Sequence, residues 1–373
     1  MKISRQFIFF LGLVMTMAIQ SCKSYKNLTN GIVVVDEEAS IETLYLLHRI
    51  QKIKDHGYAF GHQDATAYGM GWKNNGNQYK SDVNEVSGDF PAVYGFEIGH
   101  IELGNTINLD TVNFSLMKGL IRKAHEKKGI ITLSWHPDNP VSQKSAWDTT
   151  KAVKFVLKGG GLHTKYRGWL FRVADFLNNL KDKRGNNIPV IFRPYHEMNG
   201  SWFWWGEGNC STDEYKQLWI ETVDILRNEF NVHNVLYAYS ANTFQTEKEY
   251  MKYYPGDDYV DILGVDIYQH GSTENFVDAL NRDLKILEKI STEKNKPFAL
   301  SEAGLNKIPI DDWWTQILDK NISKYGISWA LFWRNAWPNH YFVPFLGATS
   351  SSDFANFKRL PHVLFLKDVQ KIK

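Results

Sequence analysis

Two carboxylates define the chemistry this chain could perform. Glu197 lies in RPYHEMNGSWFWWG (193–206) and Glu302 in LSEAG (300–304). Around Glu197, an imidazole and a guanidinium stand beside a run of Trp and Phe, so groups that handle protons adjoin flat faces that can stack on pyranose rings. Two carboxyl groups about 5–5.5 Å apart hydrolyse a glycosidic bond with retention when one is a protonated acid and the other an ionised nucleophile. Neighbours divide the roles. Glu197 sits between His196 and a Trp-rich loop, where partial desolvation and a second carboxylate hold its proton to higher pH, which makes it the acid/base. Glu302 can accept hydrogen bonds that favour its anion, with Tyr268 placed to donate one, which makes it the nucleophile. A single Glu in such a place is more often a salt-bridge or capping residue; two, each inside a polar-aromatic motif, point to chemistry.

Other chemistries fit less well. His62, His136, His196 and His270 could gather round zinc, but no His-x-His pair closes the first strand candidate, and bonds to sugar hydroxyls or to Glu197 account for the same residues. Neither a metal nor a cofactor is expected. Ser201 lacks a Gly-x-Ser-x-Gly elbow, and Cys210 sits in a loop without a paired base. Among the aromatics, Trp219, Trp313 and Trp314 fall in helical segments and read as core. Trp202, Trp204, Trp205 and Trp333 fall on strand ends or the loops after them and read as stacking surfaces, while Trp72 and Trp147 lie in loops and stay undecided.

These side chains need a scaffold that brings distant segments to one place. Strand-like runs occur at 58–63, 92–98, 129–136, 188–197, 234–242, 259–268, 297–304 and 327–335. Amphipathic helix patterns occur at 111–127, 167–181, 213–230, 274–294 and 311–324, after an earlier one in which Ile41, Leu44, Leu47 and Ile50 recur at threes. Ser211 and Thr212 precede Asp213 as an N-cap, and Asp311 and Asp312 place negative charge at a helix start. Alternating β and α elements predict an α/β fold, a (β/α)8 barrel, over an open doubly wound sheet, because no glycine-rich phosphate turn follows the first strand. The strand runs end in GHQ, Glu97, Trp135-His136, His196-Glu197, Ser240 to Asn242, Asp266 to Tyr268, Ser301-Glu302 and Trp333-Arg334. In a barrel these ends meet on one face, where such enzymes keep their chemistry.

Eight ordered segments carry a family resemblance: GHQD (61–64), SDVNEVSGDFPAVYGFE (81–97), SWHPDNP (134–140), RPYHEMNGSWFWWG (193–206), YSAN (239–242), LGVDIY (263–268), LSEAG (300–304) and ALFWRNA (330–336). Together they resemble glycoside hydrolase family 26, whose members are chiefly β-mannanases. The resemblance implies a retaining barrel with its acid/base and nucleophile ending strands four and seven, in agreement with Glu197 and Glu302. His196 stands where this family has His and most of its clan has Asn. It further implies that His136, His196, Trp202 and Tyr268 line the subsite of the attacked sugar and that Trp333 lies beneath that ring. Arg334 would contact the next sugar on the non-reducing side, and Asp266 would orient His or Arg groups. The implied substrate is the β-1,4-mannosidic bond of mannan, galactomannan or glucomannan, cut internally. Release of mannobiose from chain ends stays open, as does a glycan-binding lipoprotein on an inactive barrel.

Of 373 residues, 43% are hydrophobic and 23% charged, enough apolar sequence for one large core. A net charge of +2 argues against a dedicated nucleic-acid binder. Aromatic residues make up 14%, with 13 Trp, more than packing alone requires. The first 21 residues read as a leader: Lys2 and Arg5, an apolar run at 7–19, and Ser21 before Cys22. A small residue before Cys at the end of such a run resembles a bacterial lipobox, so Cys22 is expected to carry lipid and to hold the chain at the bacterial cell envelope. Residues 22–38 are then a tether and 39–373 a single catalytic domain, expected to be a monomer, with Cys210 its one free thiol.

Overall fold

A computed structural model describes residues 33–372. The expected leader and Cys22 lie outside them. Eight parallel strands follow one another: β1 (Tyr58–Gln63), β2 (Val93–Glu97), β3 (Ile130–Trp135), β4 (Val190–Pro194), β5 (Val235–Asn242), β6 (Ile262–Tyr268), β7 (Phe298–Gly304) and β8 (Trp329–Phe332). Each pairs with the next, and β8 returns to β1 with Ala59 opposite Trp329 and His62 opposite Phe332, closing the (β/α)8 barrel. All eight contain the centres of the runs expected from sequence. Their near-continuous burial explains why they read as unbroken apolar runs, since strands of a parallel sheet are covered on both faces.

Helices α1 (Ile41–Ile53), α2 (Phe114–Glu126), α3 (His163–Asn178), α4 (Thr212–Asp224) and α5 (Thr273–Lys294) coat the barrel. Their starts are written locally. Ser211 accepts from Glu214 N while Glu214 accepts from Ser211 N, a reciprocal capping box. Asn113 and Ser272 cap α2 and α5 in the same side-chain-to-backbone manner. The expected helix at 311–324 is instead a wide π-helical segment, Trp313–Asp319, running into Lys320–Ile322. That geometry seats Trp313 and Trp314 side by side against Phe332 of β8, at centroid distances of 6.1 and 4.8 Å. Both are buried, as is Trp219, so these three are core.

The expected tether ends sooner than Glu38. Val35 N donates to Asp261 at 2.8 Å, Arg227 donates to Val35 O at 2.8 Å, and Asp36 accepts from His233 at 2.8 Å. His233 and Asp261 precede β5 and β6, so this segment is fixed to the end of the barrel opposite the catalytic carboxylates. Three partly buried polar contacts hold this segment to the barrel, which a polar composition alone does not reveal.

Candidate active site

The strand expected at 188–197 stops at Pro194 and gives way to a turn. Within it Tyr195 and Glu197 adopt left-handed backbone conformations, with φ of 49° and 55°. For residues with a Cβ each such position costs about 1–2 kcal/mol. The surroundings hold the turn in place. Tyr215 donates to Tyr195 O at 2.9 Å, Glu197 N donates to Ser240 O at 2.8 Å, and Trp205 Nε1 donates to His196 O at 2.9 Å. The Tyr195 hydroxyl is bonded to those of Tyr166 and Thr222. Glu197 is thereby lifted off the strand and over the mouth.

Trp204 and Trp205 were expected to stack on sugar, but both are fully buried. Their indoles tie loops together: Trp204 Nε1 donates to Pro137 O at 3.0 Å, and Trp205 supports the turn at 195–197. Four consecutive aromatics cannot all face one cleft, and the two that turn inward became props. Trp202 stays 38% exposed and donates from Nε1 to Glu197 Oε2 at 2.9 Å. Its ring lies over Gly200, where a Cβ would come within 2.2 Å of it, so glycine is what lets the indole reach the carboxylate.

Glu302 owes its position to a β-bulge. Val265 of β6 pairs with Leu300 of β7, yet the next residue, Asp266, pairs with Glu302, leaving Ser301 extra. Neighbours on a regular strand point to opposite faces; the bulge lets Ser301 and Glu302 both serve the interior. Ser301 Oγ donates to Asp266 Oδ1 at 2.8 Å, while Glu302 accepts from Tyr268 OH at 2.7 Å and from Arg193 Nη2. Arg193 Nη1 donates to Asp266 Oδ2 at 2.9 Å, so one buried guanidinium bridges two carboxylates. Asp266 is thus paired with an Arg, and Arg193 is a member of the site to which sequence reading gave no specific role.

Glu197, Asp266 and Glu302 each offer a carboxylate oxygen within 4.8 Å of the others. This spacing suits direct attack with retention, not the roughly 6.5–9.5 Å that leaves room for a water. It is also the one grouping among the described residues with the shape of a metal site, but Arg193 already straddles two of its three members. Burial, with Asp266 and Glu302 adding repulsion, pushes the Glu197 carboxyl well above the usual range. Glu302 is held by two hydrogen-bond donors, Tyr268 and Arg193. A carboxyl that keeps its proton thus stands beside one fixed in place by donors, an arrangement an acid/base and a nucleophile require.

His136 and His196 meet at right angles, ring centroids 4.5 Å apart. Glu97, wholly buried, accepts from His136 Nδ1 at 2.7 Å, His136 N at 2.9 Å and Ser134 Oγ at 2.6 Å. Burial works against a charge on His136, but Glu97 outweighs it and the imidazole's pKa rises. His196 goes the other way: burial, then Arg193 and His136, keep it neutral, with Nε2 4.0 Å from Glu302. Of the four histidines considered for a metal, only these two adjoin. His62 is buried without a hydrogen bond among the described residues, and His270 stacks on Tyr268 at 5.7 Å. Trp333 is half-buried, 6.3 Å from His136. Arg334 stands apart from the carboxylate pair, held by Asp110 and Tyr68. Trp147, undecided from sequence, stacks on His136 at 5.2 Å while remaining 47% exposed, a face open to the mouth. Glu97 and Arg193 were detectable as charged groups at strand ends; Trp147 left no signal in its own loop. Cys210 is half-buried, and burial pushes its thiol up to about 12, so it offers no nucleophile.

Comparison with known proteins agrees with this geometry. Residues 35–339 match the family described as Glycosyl hydrolase family 26. A mannan endo-1,4-beta-mannosidase of Bifidobacterium adolescentis is 33% identical over 285 residues, covering 74% of this chain and 28% of the relative. One from Bacillus subtilis strain 168 is 31% identical over 238 residues, 60% of each. The chain thus spans from 28% to 60% of the length of these curated relatives. Among solved structures, a GH26 beta-mannanase from Bacteroides ovatus superposes with a TM-score of 0.86 at 44% identity, covering 89% of this chain and 98% of that one. A modular endo-beta-1,4-mannanase of Cellulomonas fimi gives 0.83 at 32% identity, covering 90% and 78%.

Proposed function

The chain belongs to glycosyl hydrolase family 26, and from that premise we propose that it is an endo-acting β-1,4-mannanase that cleaves with retention. The observation that carries the proposal is the Glu197–Asp266–Glu302 group, in which a guanidinium and a phenol hold Glu302 and burial keeps a proton on Glu197. Family membership supplies the bond class, since several mannanases to which the chain is similar are named for internal cleavage of mannan.

In the first step a Glu302 carboxylate oxygen attacks the anomeric carbon. The glycosidic bond breaks and Glu197 delivers its proton to the departing oxygen. Glu302 is then esterified to the sugar and Glu197 is an anion. In the second step Glu197 removes a proton from water, whose oxygen displaces Glu302 and restores both groups. Neutral His196, cationic Arg193 and the Tyr268 hydroxyl fix the trajectory of Glu302, and Trp202 and Trp147 offer exposed ring faces to the polymer. The substrate is mannan, galactomannan or glucomannan, taken by a monomer anchored through lipidated Cys22 at the bacterial cell envelope. Radiolabelled lipid incorporation that is lost in Cys22→Ser checks the anchor.

Glu302→Ala should abolish release of reducing sugar from mannan, and proton NMR of the wild-type reaction should show the β-anomer first. Near wild-type hydrolysis by the variant, or an initial α-anomer, would overturn the mechanism.

A further inference from the structure

Phe342, in the loop after β8, is buried yet stands outside the main hydrophobic core. Its ring meets Tyr268 edge to face, with centroids 5.6 Å apart and planes at 77°. Tyr268 in turn donates to Glu302 Oε2 at 2.7 Å. His270 also stacks on Tyr268, at 5.7 Å, but His270 is exposed, so of these two neighbours Phe342 is the fixed one.

Contacts from three other segments present this ring. Phe342 N and Val343 N donate to Asn335 Oδ1 at 3.0 and 3.1 Å, while Asn335 Nδ2 donates to Val343 O at 3.0 Å and to Asp82 Oδ2 at 2.9 Å. Both ends of a buried amide are thus used to set the backbone at 342 and 343. One residue earlier, Tyr341 O accepts from Lys307 N at 2.8 Å and Tyr341 N donates to Asn306 Oδ1 at 3.3 Å, which ties this loop to the one after β7. At the end of β7, Gly304 leaves room for the ring: a Cβ there would come within 2.3 Å of Phe342 Cδ1.

A phenol that donates to one carboxylate oxygen can lose it by turning about its side-chain bonds. An edge-to-face partner opposes that turn, because the contact depends on the angle between the rings. Phe342 brings neither charge nor hydrogen bond to Glu302, so its influence passes through Tyr268. We propose that Phe342 is a positioning residue for the reaction, holding the Tyr268 hydroxyl on Glu302, with Asn335 presetting the ring and Gly304 admitting it. The proposal rests on the reading of Glu302 as nucleophile. It makes the loop after β8 one of the parts that govern the rate of attack.

The test is a double-mutant cycle on kcat/KM for an aryl β-1,4-mannobioside. Phe342→Leu should lower kcat/KM about tenfold, the upper range for loss of an aromatic pair. Gly304→Ala, whose Cβ drives the ring off Tyr268, should act in the same direction and keeps the test available if Phe342→Leu folds poorly. In the Tyr268→Phe background there is no hydroxyl to aim, so either change should lower the rate by less than about twofold. An equal factor in both backgrounds, or an unchanged rate in the folded single variants, would make the ring structural and overturn the proposal. A wild-type enzyme that cleaves neither the mannobioside nor mannan would instead overturn the functional reading beneath it.

Discussion

The hydrogen bond from Trp202 Nε1 to Glu197 Oε2, 2.9 Å long, stabilises the carboxylate over the acid and so opposes the burial that raises Glu197. Trp202→Phe keeps an aromatic face and deletes the donor. A hydrogen bond to a charged group contributes about 1.5–3 kcal/mol, and about 1.4 kcal/mol corresponds to one pKa unit. Trp202 is 38% exposed, so solvent partly replaces the lost donor and the lower end applies, about one unit. The sign comes from the first chemical step. Glu197 must begin protonated, so kcat/KM falls as pH rises through its pKa; a higher pKa moves that alkaline limb upward. The assay is kcat/KM on a manno-oligosaccharide from pH 4 to 10 for wild type and variant, with circular dichroism as a check on folding. Gly200→Ala is a second arm: its Cβ would fall 2.2 Å from the Trp202 ring and drive the indole away, with the same upward shift. An alkaline limb that stays in place or moves down in both folded variants would refute either the bond or the role of Glu197 as acid.

The same geometry sets other expectations. Glu197→Gln should lose at least a hundredfold on mannan, the lower bound for removing a general acid, while retaining far more activity on a dinitrophenyl glycoside whose leaving group needs no proton. Its stability should behave differently. A carboxyl raised in the folded state contributes fully below its unfolded pKa and loses that contribution as pH rises, so the Tm of the Gln variant relative to wild type should climb between pH 4 and 8. Arg193→Met should leave Asp266 and Glu302 uncompensated and cost about 3–5 kcal/mol of stability in denaturant titration. Trp205→Ala should cost about 3–5 kcal/mol as a core truncation, whereas Trp147→Ala should raise KM on mannan with little change in unfolding midpoint.

The sequence by itself determined the barrel, because alternating apolar strands and amphipathic helices are a periodicity each segment carries locally. It singled out the carboxylate pair, because Glu197 and Glu302 fall at or near the ends of two apolar runs inside polar-aromatic motifs. It also determined helix starts such as Ser211, where cap and partner lie three residues apart. Tertiary structure decided what depends on partners far along the chain. The WFWW run split into a donor at Trp202 and buried props at Trp204 and Trp205, since the side of a loop that meets the core is set by Pro137 and His196 and not by composition. The bulge at Ser301 arises from register against β6 and β8, which no single strand encodes. Arg193 gained its role only when β4, β6 and β7 closed around it. Two motif-bearing glutamates thus announce the chemistry, but their surroundings are a property of the assembled barrel, where burial raises Glu197 and Arg193 bridges Glu302 to Asp266.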